Sequence, residues 1–215
     1  MPATQKKNKG AGVRRPVQTQ ERILAAALRE FAAKGLAGAR VDQIARRAKI
    51  NKRMLYHYFG NKRELFSAVM RRKLAERQEI TKTFSEDPTE NLPLLFHATC
   101  RETEWVQLLT WESLQTVGNQ IEDEAARREA ARYAMGELAR RQELGLVNSA
   151  FDPSHLALAK LSLTMFPTAF PHITRLITGK SPQDPDFQRA YMKFLNAFAV
   201  AFQPPAVAAG VPPAV

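Results

Sequence analysis

This chain has one cysteine, Cys100, so no internal disulfide can form, and that usage fits a reducing compartment. Long hydrophobic runs are missing too. The most apolar stretch, 156–173, is interrupted by Lys160, Pro167, Pro171 and His172, and is too broken for the roughly 20 apolar residues of a membrane span. The opening MPATQKKNKGAGVRRP is basic with no apolar segment behind it, which is not the pattern of a secretory signal. A soluble, cytoplasmic protein with no membrane partner is expected. Catalytic signatures are equally scarce. The histidines at 57, 97, 155 and 172 have no metal-ligand spacing, and neither a phosphate-cradling glycine loop nor a Gly-x-Ser-x-Gly elbow occurs. No enzyme activity, metal or cofactor is expected. Cys100 with His97 three residues before it leaves redox sensing open, although an isolated cysteine is usually a small buried hydrophobe.

What the chain does have is positive charge, unevenly spread. Its formal net charge is +11 over 215 residues. Residues 1–74 carry 19 of the 32 Lys and Arg but only 4 of the 21 Asp and Glu. A basic N-terminal third on a mildly acidic body points to two parts with two jobs, the first facing an anionic partner.

The pattern along the chain is helical throughout, and the expected fold class is all-α. Residues 1–17, rich in Lys, Arg, Gly and Pro, are expected to be a disordered basic arm that can reach a DNA minor groove. From Thr19, Ile23, Ala27 and Phe31 recur at i, i+4 and i+8, and Gly35 ends that helix. Short helices are predicted over 41–48 and 52–59, and a longer one over 62–82. Further helical segments fall near 89–116, 122–144, 153–178 and 185–202, with Pro167 and Pro171 expected to kink or break the third. The tail 204–215 is expected to be unstructured.

The second and third helices have the lengths of a helix-turn-helix. Asn51 is placed to cap the third helix and Asn61 the fourth, with Glu64 in capping-box spacing. Within MLYHYFGNKRELF, residues 54–66, Leu55 and Phe59 share one helical face and are expected to pack inward against Ile44 and Ala48. Lys52, Arg53, Tyr56 and His57 are then left facing outward. Lys and Arg at a helix start can reach phosphates or guanine edges, and tyrosines can donate to phosphate oxygens. Lys62 and Arg63 sit in the first turn of the fourth helix, where the helix dipole disfavours a cation unless an anion binds there.

Residues 19–66 resemble the DNA-binding region of the tetracycline-repressor (TetR) family of bacterial transcriptional regulators. The resemblance is carried by TQERILAAA at 19–27, VDQIA at 41–45 and LYHYFGNK at 55–62, and covers about a quarter of the chain. It implies phosphate contacts by Thr19, Tyr56, Tyr58 and Lys62, and base-edge contacts by Lys52, Arg53 and His57. Two departures stand out. Lys49 occupies a turn position where the family commonly has Gly, and Arg40 one where Ser or Thr commonly caps the second helix. Arg40 cannot accept a backbone N–H, and so replaces the cap with a long-range cation near the DNA.

The expected organisation is an arm at 1–17, a three-helix DNA-binding domain at 18–64, a helical ligand-binding and dimerisation domain at 65–203, and a tail. Trp105, Leu109 and Glu112 on one helix, with Met165, Phe166 and Phe170 around the prolines, are candidate ligand contacts, although the same residues could be core. A buried Glu112 would have to be paired, neutralised or raised in pKa. The aromatic stripe Phe187, Tyr191, Phe194 and Phe198 on the last helix is the candidate dimer interface, since the resembled family dimerises through its last two helices. The expected partners are a double-stranded DNA operator, a second copy of the chain, and a small hydrophobic or amphipathic effector. The alternative is an architectural or cell-cycle factor of the same fold whose C-terminal domain binds protein.

Overall fold

A computed structural model describes residues 11–85, 88–115, 121 and 123–204, and those residues divide into two units. The first ten residues of the basic arm and the tail from 205 lie outside the described residues, as do the side chains of residues 11–15. The first unit comprises the chain to Lys73 together with Gln107–Asp123; the second comprises Leu74–Val106 and everything from Glu124 on. The division between the units falls inside a helix, at Lys73/Leu74.

The first unit holds α1 (Ala11–Gly38), α2 (Val41–Arg47), α3 (Lys52–Phe59) and the beginning of α4 (Lys62–Lys82). Ile23, Ala27 and Phe31 are fully buried, as their spacing predicts, along with Ile44, Leu55, Leu65 and Met70. Each such side chain removed from water contributes roughly 1.5–3 kcal/mol. The Phe31 and Phe66 rings meet edge to face at 5.2 Å, tying α1 to α4. One expectation is corrected here. Residues 11–17 are not a disordered segment but the first turns of α1, with Pro16 inside it. A helix nucleated by the buried 23–31 stretch extends toward the N-terminus at one hydrogen bond per residue. Gly35 leaves the helical region with φ 65°, where its lack of a Cβ removes the penalty.

The second unit contains the end of α4, α5 (Pro88–Arg101), α7 (Glu124–Glu143), α8 (Pro153–Ala169), α9 (Pro171–Thr178), α10 (Pro185–Ala199) and a closing 3-10 turn, Val200–Phe202. Between α5 and α7 runs α6 (Thr103–Gln115), which begins in this unit and ends in the other. The single segment expected near 89–116 is thus two helices, parted at Glu102. Helix α5 packs on α10 and α8, and α7 packs on α8. Leu92, Phe96, Phe187, Leu195 and Ala199 form one core cluster, and Leu138, Val147 and Leu156 another. No strand occurs among the described residues.

The break expected at the prolines falls at Pro171, while Pro167 lies inside α8, and the fold answers each of them. Helix α8 ends at Phe170, and Pro171 opens α9 at a position where its missing N–H is not needed. Pro167 leaves the Leu163 carbonyl without its helical donor, and the Tyr191 hydroxyl supplies one at 2.9 Å. Pro171 does the same to the Pro167 carbonyl, which accepts instead from Thr174 Oγ1 at 3.1 Å. Two side-chain hydroxyls thus repair the two gaps.

Candidate nucleic-acid interface and effector region

The reading helix is fixed at both ends. Asn51 Oδ1 accepts the Met54 N–H at 2.7 Å, and Gly60, at φ 67°, closes the far end with its N–H on the Tyr56 carbonyl. A Cβ at Gly60 would meet only the movable end of the Glu64 side chain, so it is the positive φ that calls for glycine here. Asn61 Oδ1 accepts from the Arg63 and Glu64 N–H groups, and its amide donates to Glu64 at 2.6 Å. Both asparagine caps are where the sequence puts them.

The turn before α3 carries strain. Lys49 has φ 55°, while the Ile50 N–H bonds the Ala45 carbonyl and the Lys49 N–H that of Arg46. This is a helix-ending geometry that favours glycine at the left-handed position. The departure noted at Lys49 is therefore a real backbone cost, about 1–2 kcal/mol for a residue with a Cβ.

With its ends set, α3 buries Leu55 completely and half-buries Phe59. Lys52, Arg53, Tyr56 and His57 are exposed, and Tyr58 is half-buried with its ring edge-on to His57 at 5.7 Å. Lys52 pairs with Asp42 of α2 at 3.1 Å, and the hydrogen bond to that carboxylate raises its pKa. Arg53 makes no ion pair or hydrogen bond with another described residue. Lys62 is half-buried and donates to the Ala37 carbonyl at 3.0 Å; burial lowers its pKa, with the Glu30 charge opposing. Thr19 is half-buried within α1 and not at its start, so it does not cap that helix toward an anion.

A residue that sequence reasoning missed organises this region. Glu30 is fully buried, yet its carboxylate accepts from Lys34 at 3.0 Å, Arg47 at 2.9 Å and the Arg40 N–H at 3.3 Å. Arg40 stands at the N-cap of α2 with no side-chain cap, and Arg47 ends that helix. One carboxylate thus ties both ends of α2, through the Arg40 N–H and the Arg47 guanidinium. Burial would raise its pKa, but the Lys34 and Arg40 hydrogen bonds and the Lys34 and Arg47 charges outweigh that and hold it below the ordinary carboxylate value. The signal was available: residue 30 lies seven after Ile23, in phase with the buried stripe. An open groove of about 570 Å³, lined by Arg22, Arg29 and Arg47 over Ala25 and Ala26, also adds positive surface along α1.

In the second unit the candidate residues differ in their exposure. Phe187 is only 5% exposed and stacks on Tyr191 at 5.3 Å; both belong to the monomer core, not to an outer face. The Tyr191 hydroxyl is committed to the Leu163 carbonyl, and burial raises its pKa. Phe194 and Phe198 are exposed, as a partner surface requires. Phe166 and Phe170, expected in a pocket, are instead 43% and 46% exposed with their rings 5.0 Å apart. Leu176 and Ile177 of α9 are 83% and 77% exposed. Trp105 is buried core, and Leu109, Glu112 and Met165 are half-buried. Of the six candidate ligand contacts, Leu109 and Glu112 belong to the first unit and the other four to the second.

A cavity does lie in the second unit, with none of those six residues around it. It measures about 20 Å³ and is lined by Leu92, Leu156 and Phe202 together with Asn91, Arg141 and Lys160. Cys100 is half-buried, and burial pushes its thiol pKa up despite a Thr168 hydrogen bond, away from the thiolate form that redox chemistry uses. No helix among the described residues is long and apolar enough to cross a membrane.

Comparison with known proteins agrees with this geometry. Residues 23–69 match the family described as bacterial regulatory proteins, tetR family, and residues 93–195 match the tetracyclin repressor-like C-terminal domain. The HTH-type transcriptional repressor SCO4008 of Streptomyces coelicolor is 29% identical over 180 residues, 84% of this chain and 94% of that protein. The crystal structure of the transcriptional regulator SCO4942 from the same organism is similar over 87% of this chain and 99% of its own, at 28% identity and a TM-score of 0.72. AibR in complex with isovaleryl coenzyme A and operator DNA shares the fold at 17% identity and a TM-score of 0.60, over 87% of this chain and 99% of its own.

Proposed function

Because this chain belongs to the tetracycline-repressor family of bacterial transcriptional regulators, we propose that it represses transcription in the cytoplasm by binding an inverted-repeat operator as a homodimer, and that a small hydrophobic or amphipathic effector releases it. The observation that carries the reading is α3, capped at both ends with Leu55 buried beneath it and Lys52, Arg53, Tyr56 and His57 turned outward. Arg53, uncommitted among the described residues, reads a base edge with His57 beside it, and Lys52 joins them by leaving its exposed pair with Asp42. Tyr56, Tyr58, Lys62 and Arg40 hold phosphates and set the register. Thr19, half-buried along α1, supports this role least.

A helix of eight residues reaches few base pairs, so specificity requires two copies on half-sites about one helical turn apart. The exposed apolar side chains of α8, α9 and α10, Phe166, Phe170, Leu176, Ile177, Phe194 and Phe198, supply a surface that a second copy would cover. Release follows if the effector prefers a dimer whose reading heads do not match the half-site spacing. AibR demonstrates that this fold accommodates an effector and operator DNA. A cavity of only about 20 Å³ favours a second reading, in which the C-terminal unit binds a protein.

The test is selection of duplexes from a randomised library by the full chain. Enrichment of inverted repeats with half-site centres about 10 base pairs apart, or a multiple of that, is expected. Single, unrepeated sites would contradict the dimeric reading.

A further inference from the structure

All the carboxylates of residues 1–74 are engaged, yet two arginines on α1 are left without one. Those carboxylates are Glu21, Glu30, Asp42 and Glu64. Glu21 pairs with Arg72 of α4, Asp42 with Lys52, and Glu64 accepts from the Asn61 amide. Glu30 is shared by Lys34, Arg47 and the Arg40 N–H. Arg22 and Arg29, both exposed, make no ion pair or hydrogen bond with another described residue. They stand seven residues apart, on one face of α1 and about 10.5 Å along its axis. Arg47, at the end of α2, completes the open groove of about 570 Å³. Its guanidinium is tethered to the buried Glu30 at 2.9 Å while its side chain stays 48% exposed. The floor is Ala25 and Ala26, whose single methyl groups let an occupant come down between the arginines.

The chemistry of the lining selects the occupant. Three guanidinium forks and no lysine suit paired oxygens, as phosphate and carboxylate groups offer them. One inorganic phosphate fills little of so wide a groove, whereas a nucleic-acid strand presents phosphates in succession. The place in the fold favours the strand as well. A helix-turn-helix sets its second helix in the major groove while its first crosses the backbone. Here those helices are α3 and α2. The groove lies on the seam of α2 with α1, and none of its lining residues comes from α3.

We propose that this groove takes phosphodiesters of the operator strand just outside the half-site, with Arg22, Arg29 and Arg47 as its anion-binding residues. The proposal rests on the reading of the first unit as DNA-binding. Arg22 and Arg29 then lengthen the footprint without adding base preference, since phosphate contacts carry no sequence information. Glu30 holds Arg47 in position for the same strand.

The experiment uses an inverted repeat enriched by the full chain from a randomised library, prepared as two duplexes. One ends at the repeat, and the other carries about 10 further base pairs on each side, one helical turn. Arg22→Gln combined with Arg29→Gln should weaken binding to the long duplex by about tenfold at low salt and shrink its salt slope by about two. The same pair of substitutions should leave the short duplex and every base preference unchanged. Arg22→Lys with Arg29→Lys should keep the slope, which separates lost charge from lost fold. An equal loss on both duplexes would make the arginines bulk charge and overturn the proposal. Unchanged binding to both would overturn it too, and would leave the groove to another anion such as an acidic protein segment. In either case the parent's selection of inverted repeats stands. A parent chain that selects no sequence removes the operator reading, and this site with it.

Discussion

Replacing Glu30 with glutamine removes one charge and almost no volume from the first unit, and the structure lets its cost be worked out. Glutamine can still accept the Arg40 N–H, so the start of α2 keeps that tie to α1. What disappears is the anion shared by Lys34 and Arg47, whose side chains remain 46% and 48% exposed and so regain water when released. Exposed pairs contribute about 0.2–1 kcal/mol and hydrogen bonds to charged groups about 1.5–3 kcal/mol. Two contacts with one buried and one half-exposed partner therefore amount to roughly 2 kcal/mol. Midpoint temperature should fall by roughly 4–8 °C for a chain of this size. The pH dependence has a definite sign. The Glu30 pKa is depressed in the folded protein, so its stabilisation is full above the unfolded value of about 4.5 and is lost as pH falls through the lower folded value. The gap between Glu30→Gln and the parent, measured by urea unfolding, should be present at pH 7 and close in acid. Equal stability at pH 7, or a gap that grows on acidification, would refute the account of how α2 is held.

Two further perturbations test separate parts of the structure. Lys49→Gly relieves a left-handed backbone worth about 1–2 kcal/mol while loosening the unfolded chain by about 0.5–1 kcal/mol. A net gain of up to about 1 kcal/mol in urea unfolding is expected, and a loss would mean that the lysine side chain stabilises the turn. Leu176→Glu alters a side chain 83% exposed in the monomer, so folding should shift by no more than about 0.5 kcal/mol. Sedimentation should nonetheless show monomers, and a dimer that persists unchanged would place the interface elsewhere.

The contrast between the two halves shows what a sequence can disclose. Caps are local chemistry, so Asn51 and Asn61 could be assigned from spacing alone, as could the break at Pro171 and the inward Leu55. Strain at Lys49 was signalled only by the resemblance, in which that position commonly holds Gly; its left-handed backbone came from the structure. Tertiary choices were not legible in the same way. Phe187, Tyr191, Phe194 and Phe198 share one stripe, and periodicity gives a helix its phase but not which flank its neighbours cover. The split between buried Phe187 and exposed Phe194 depends on where α5 lies. Tyr191 turned inward because Pro167 had left the Leu163 carbonyl without a donor, a link across 28 residues. Glu30 was passed over because a carboxylate in a buried stripe makes sense only once Arg40, Lys34 and Arg47 are seen around it.

The claim on which everything else depends is that α3 reads bases through Arg53 and grips phosphates through Tyr56. Binding of Arg53→Ala and Tyr56→Phe to a randomised operator library, compared with the parent chain, tests it directly. Arg53→Ala should relax preference at particular base pairs by roughly 1–3 kcal/mol if its contact is bidentate. Tyr56→Phe should weaken every sequence by the same factor, because a phosphate contact carries no sequence information. A uniform loss for Arg53→Ala, with base preferences intact, would contradict the assignment of α3 as the reading helix.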